Sequence, residues 1–116
     1  MTIQEEHIKL FEVLVTKLQG ESYYVNVDYS EEMPSGFVRR LRDNVSSQIS
    51  IRLYSGNSCK LIVTKEQRID SILPDRLANH HVVHDAIGTQ EKKYILNLSS
   101  VTLEDVVDWF NTYFYN

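Results

Sequence analysis

Hydrophobic and polar positions alternate along this chain with two clear periods. Ile3, His7, Leu10, Phe11, Leu14 and Leu18 recur at three- and four-residue steps, which puts them on one stripe of an amphipathic helix. Thr2 followed three residues later by Glu5 has the form of a capping box, and Gly20 is a natural stop. At the other end Leu103, Val106, Val107, Phe110, Tyr113 and Phe114 share a helical face. Thr102 is the expected cap there, and Glu104 and Asp105 complement the positive helix end.

Between these helices the period falls to two. Val25, Val27 and Tyr29 alternate with Tyr24, Asn26 and Asp28. Ile49, Ile51 and Leu53 alternate with Ser50, Arg52 and Tyr54, and Cys59, Leu61 and Val63 with Lys60, Ile62 and Thr64. Ser55, Gly56, Asn57 and Ser58 supply the turn of a hairpin between the last two runs. Tyr94, Leu96 and Leu98 define a further strand over 92–98. Phe37, Val38, Leu41 and Val45 fit one face of a short central helix, with Arg39, Arg40, Arg42 and Asp43 outside. The stretch 67–88 is ambiguous: Pro74 interrupts it, Asp75 to Asn79 suit one helical turn, and residues 80–87 favour a strand because Val82 and Val83 are β-branched. The expected architecture is a single α+β domain over residues 1–116. Its mostly antiparallel sheet has four to five strands, with N-terminal, short central and C-terminal helices packed on one face.

Length and composition agree with that reading. A chain of 116 residues with 42% hydrophobic and 24% charged residues can bury one core without a staple. The single cysteine, Cys59, excludes an intrachain disulfide and suits a reducing compartment. Glu5, Glu6, Lys9 and Glu12 interrupt any apolar leader, so a cytoplasmic location and no membrane association are expected. The formal charge of −4 favours a basic protein partner over phosphate-rich nucleic acid.

Candidate chemistry is sparse. His80, His81 and His84 form the most conspicuous cluster. On a helix His80 and His84 would sit one turn apart, a spacing that chelates a divalent metal; on a strand they supply part of a site at most, and no regular ligand spacing completes it. No metal and no cofactor are expected. Pro74-Asp75 followed by Glu91-Lys92-Lys93 resembles the PD…(D/E)xK signature of a large nuclease superfamily. The resemblance covers five residues; it implies Asp75 and Glu91 as magnesium ligands and Lys93 as the group that polarises phosphate or positions water. Arg39, Arg40 and Arg42 form a basic trio suited to phosphates or an acidic partner. Trp109 lies beside the main stripe of the last helix, and Tyr113 and Tyr115 follow it, a candidate contact patch for a partner or a homodimer.

There is no nucleophile elbow and no phosphate-cradling glycine loop, so no catalytic residue is assigned. The expected function is a non-catalytic module that masks or bridges a partner protein. Toxin-immunity proteins, phage-encoded inhibitors of host defence and secretion chaperones share its size, charge and class. A nucleic-acid-associated regulator using the arginine trio is one alternative. A small metal-dependent hydrolase or nuclease, using the His cluster or Asp75, Glu91 and Lys93, is the other.

Overall fold

The structure, a computed structural model, describes residues 2–43, 48–67, 79–86 and 89–115, with side chains over 2–43, 48–64 and 93–114. Its elements run α1 (Ile3–Gly20), β1 (Tyr23–Asp28), β2 (Ser35–Arg40), β3 (Ile49–Ser55), β4 (Cys59–Gln67), β5 (Asn79–Ala86), β6 (Thr89–Asn97) and α2 (Leu103–Tyr115). The strands form one six-stranded sheet in the order β1-β2-β3-β4-β6-β5, every neighbouring pair antiparallel. No helix of the described chain is long and apolar enough to cross a membrane.

Both helices begin where their caps require. The Thr2 hydroxyl accepts from the Glu5 N–H at 3.1 Å, and the Thr102 hydroxyl accepts from the Asp105 N–H at 3.1 Å, each satisfying a donor that the first helical turn leaves open. α1 ends at Gly20, but the left-handed residue of the exit is Ser22, at φ 73°. The helices share one face of the sheet. Phe11, Leu14, Val15 and Leu18 of α1 and Val106, Val107, Trp109 and Phe110 of α2 join Tyr23, Val25, Val38, Ile49, Ile51, Leu53, Cys59, Leu61, Val63, Tyr94 and Leu96 in one buried cluster. Cross-strand register explains why: Ile51 pairs with Val63, Leu53 with Leu61, Leu61 with Leu96 and Val63 with Tyr94, so each residue meets a like neighbour on the same face.

The α+β architecture with its terminal helices and antiparallel sheet is as the periodicity predicts, and residues 79–86 are a strand. The short central helix is not found among the described residues, outside which Val45 lies. Residues 35–40 form β2, which gives the sheet its sixth strand. Phe37, Val38 and Leu41 have helix-like spacing, but of the residues β2 turns inward only Val38 is a large apolar one; Gly36 and Arg40 are the others. Little alternation is left to read in the sequence. Gly36 is required by close packing: a Cβ there would collide with the Asn26 carbonyl oxygen and lie 2.8 Å from the Val27 Cα.

Candidate interaction surface

Alternation sends the other half of each strand to the opposite face, which neither helix packs against. Its cross-strand rows can be followed through the register. Asn26, Phe37, Ser50, Thr64 and Lys93 form one row; Asp28, Ser35, Arg52, Ile62 and Ile95 the next; Tyr54, Lys60 and Asn97 a third; Tyr24 pairs with Arg39. Three large rings on this face remain open, with Tyr24 41%, Phe37 45% and Tyr54 52% exposed. Ile62 and Ile95, directly opposed in the middle of the sheet, are half-buried. A shallow pocket of about 220 Å³ opens beside Phe37, lined also by Asn26, Asp28, Ser35, Gly36 and Ser50.

The basic side chains of this face are interleaved with the rings. The Arg39 guanidinium lies 4.4 Å from the Tyr24 ring centroid, and its Nη1 donates to the Asp43 carbonyl at 2.8 Å. Lys60 Nζ lies 6.0 Å from the Tyr54 ring. Such stacking holds both cation and ring in place without burying either. Arg40, one residue along the strand, takes the other side of the sheet and forms a two-pronged pair with the Asp43 carboxylate at 2.7 and 3.1 Å. Asp43 is held below its usual pKa by that hydrogen bond. Strand geometry sends Arg39 and Arg40 to opposite faces, yet all three arginines gather around Asp43: Arg39 on its carbonyl, Arg40 on its carboxylate, and Arg42, in the turn after β2, beside Arg40 in a pocket that Ser22 and Leu41 also line.

The aromatic patch expected on the last helix is also revised. Trp109 is 1% exposed. Its ring sits 5.3 Å from Tyr94, 5.2 Å from Phe110 and 5.4 Å from Tyr113, stacked on the last. It is a core residue and presents no contact surface. α2 packs against the sheet over a wider arc than the main stripe, and Tyr94 on β6 supplies the wall that receives the indole. Tyr113 is half-buried; burial, with Tyr94 adding to it, holds its phenol protonated far above the usual range. The side chain of Tyr115 lies outside those described. Phe110 is fully buried, as its place in the stripe predicts.

Of the remaining candidate chemistry, β5 carries His80 opposite Tyr94, His81 opposite Lys93 and His84 opposite Glu91, with a register shift between Val82 and His84. Their side chains, like that of Glu91, lie outside the described ones, as does the whole of Asp75. Glu91 stands within β6, paired also with Glu66 of β4. Among the described residues no three His, Cys, Asp or Glu side chains come close enough to hold a metal ion. Cys59 is buried and burial pushes its thiol up to about 11, the state of a small hydrophobe and not of a nucleophile. One polar contact escaped sequence reasoning: His7 Nδ1 lies 2.6 Å from the Ser55 hydroxyl. The pair ties α1 to the end of β3, and the only trace of it in the sequence is a histidine within an apolar stripe.

No protein-family model matches the chain, and no curated protein and no solved structure matches it either.

Proposed function

We propose that the protein is a non-catalytic binding module that masks or bridges a partner protein, which it holds on the uncovered face of its sheet. One observation carries the reading: both helices lie on the same side, leaving Tyr24, Phe37 and Tyr54 exposed on the other. Exposed rings with arginine among them are the composition of interface centres, where large rigid area comes at low entropic cost, and lysine suits the rim. The test compares the tagged protein with a Phe37→Ser, Tyr54→Ser double variant in parallel captures from the same extract, followed by calorimetry with the purified captured protein. The partner is retained by the parent and lost by the variant, with both proteins melting together. Equal retention would sink the proposal.

A second reading has a specific observation behind it. Arg39, Arg52, Lys60 and Lys93 alternate with those same rings, the arrangement that stacks and neutralises single-stranded nucleic acid. It ranks below the first because the net charge is −4 and because Glu66 and Glu91 occupy the next paired positions along the same alternation. Submicromolar binding of an oligonucleotide at physiological salt, lost with Arg52→Ala and Lys60→Ala, would reverse the order.

A further inference from the structure

β1 is an edge strand, and among the described residues no strand pairs with its outer side. The Leu41 N–H donates to the Ser22 carbonyl at 3.1 Å, and the Leu53 N–H donates to the Pro34 carbonyl at 3.0 Å. These two bonds fix the phase of the ladders. Tyr24, Asn26 and Asp28 exchange hydrogen bonds with Arg39, Phe37 and Ser35, whereas the backbone N–H and C=O of Val25 and Val27 point away from β2. Among the described residues, no backbone group outside the β1–β2 ladder bonds to Val25 or Val27. Edge strands are ordinarily protected by lysine, proline or a bulge. β1 reads Tyr-Tyr-Val-Asn-Val-Asp, with none of these and with an unbroken register over all six of its pairs.

A groove of about 520 Å³ runs along this edge between β1 and α1. Val15, Val25 and Val27 floor it, Thr16 and Gln19 form its helical wall, and Glu12 and Tyr29 stand at its mouth. Tyr29 is pushed above its usual pKa by burial and by the Glu12 carboxylate. Glu12 is the charged residue of the lining; Asp28, on the open-face side of the same edge, lines the pocket beside Phe37, and Glu31 and Glu32 follow it in the loop, all exposed, so the edge carries acidic groups to either side of the strand. The Ser30 side chain and N–H, the latter donating at 2.8 Å, hold Asp28 below its usual pKa and hence ionised. Asn26 lines both this groove and the pocket beside Phe37, so the edge and the open face form one continuous surface.

We propose that this edge takes an extended, basic segment of the partner protein as an added antiparallel strand, with Val25 and Val27 pairing its backbone and its alternate side chains entering the groove against Val15. The proposal rests on the reading of the chain as a protein-binding module and names the chemistry of what it binds. Backbone pairing supplies affinity in this mode, the groove selects an apolar residue at every second position, and the acidic groups beside the strand select lysine or arginine between them. A second copy of this chain fits poorly, because edge-to-edge pairing would bring two such sets of acidic groups together.

The probe is a capped peptide of alternating valine and lysine, titrated into isotope-labelled protein. The Val25 and Val27 amides shift and become protected from exchange. Glu12→Lys with Asp28→Lys weakens binding about tenfold, the scale of a few exposed charge pairs. Val27→Pro abolishes it. In case that variant does not fold, the same peptide with every second amide N-methylated, which blocks pairing without touching the protein, also fails to bind. Binding of the N-methylated peptide, equal binding of a valine–glutamate peptide, a concentration-dependent dimer lost with Val27→Pro, or no binding at all would each overturn the proposal of a basic added strand. Shifts at Phe37 and Tyr54 in place of Val25 and Val27 would overturn it while leaving the binding-module reading intact. A partner lost by Val27→Pro but kept by the Phe37→Ser, Tyr54→Ser variant would instead remove the open face and retain the edge.

Discussion

The two faces of the sheet come from the same strands, yet they differ in kind. On the covered face Ile51, Leu53, Leu61, Val63 and Leu96 are at most 1% exposed and closed off by two helices. Residue by residue between them, the open face carries Arg52, Tyr54, Lys60, Ile62 and Ile95. A residue's neighbour in sequence is thus in a different solvent, and a one-residue slip would exchange the two environments. Stability and recognition can therefore be altered separately, and the two faces should answer substitution with opposite readouts.

The largest effects belong to the covered face. Phe110 and Trp109 are neighbours that both lie inside, the first against Tyr23 at 6.2 Å between ring centroids and the second against Tyr94 at 5.3 Å. Truncating either to alanine removes a large buried ring, and each should cost about 3–5 kcal/mol. Thermal melts of the two variants check this. A Trp109→Ala protein as stable as its parent would place the indole outside the core and break the distinction between the faces.

Next comes Gly36, inward on β2 but with no side chain to bury. Gly36→Ala must push β1 and β2 apart at Asn26 and Val27 and should destabilise by about 1–3 kcal/mol, as overpacking does. It also tests the edge, because β1 is anchored to the sheet only through β2. Chemical denaturation should show the loss with exchange accelerated first in β1.

These two positions also mark where sequence reading succeeded and failed. Ile49, Ile51, Leu53 and Cys59, Leu61, Val63 gave their faces directly, because a half-buried antiparallel strand writes its burial as alternation. β2 did not, since its inward positions are Gly36, Val38 and Arg40. A glycine and an arginine there erase the alternation, and chance spacing of Phe37, Val38 and Leu41 imitates a helix. Trp109 was misplaced for a different reason. The stripe of α2 was drawn through Val106, Phe110 and Tyr113, but the width of a buried helix face depends on what it packs against. Tyr94 lies far away in sequence. The free edge of β1 was not legible either, because strand order is a property of the whole sheet and not of the residues Tyr23 to Asp28.

A smaller, pH-dependent effect comes from Cys59. Burial pushes its thiol up to about 11 in the folded protein, from an ordinary value of 9.0. Between those values the folded protein keeps a proton that the unfolded chain has released, so the contribution to stability is fully present below pH 9.0 and is lost as pH rises through about 11. A stability profile over that range should fall more steeply for the parent than for Cys59→Ala. Alkylation of the native thiol near neutral pH should be slow beside that of the denatured chain. A thiol that alkylates as fast in the native protein would put Cys59 on the solvent side and contradict the covered face where the hairpin meets α1.

The smallest expected change in stability is on the open face. Phe37 and Tyr54 are 45% and 52% exposed, and neither belongs to the buried cluster. Removing a ring that already faces water sacrifices little burial, so Phe37→Ser and Tyr54→Ser should each stay within about 0.5 kcal/mol of the parent. Tyr54 needs one correction. It stacks near Lys60 and would lie 2.9 Å from a Cβ at Gly56, so its loss loosens the β3–β4 turn slightly more than the loss of Phe37 loosens β2. If recognition resides on this face, the ranking inverts in the binding assay: these nearly silent substitutions lose the partner, while a mild core change such as Ile51→Val keeps it despite lowering the melting temperature. Should Phe37→Ser instead melt as early as Ile51→Val, the ring is covered in solution by something, and the open face would have to be counted as a second core.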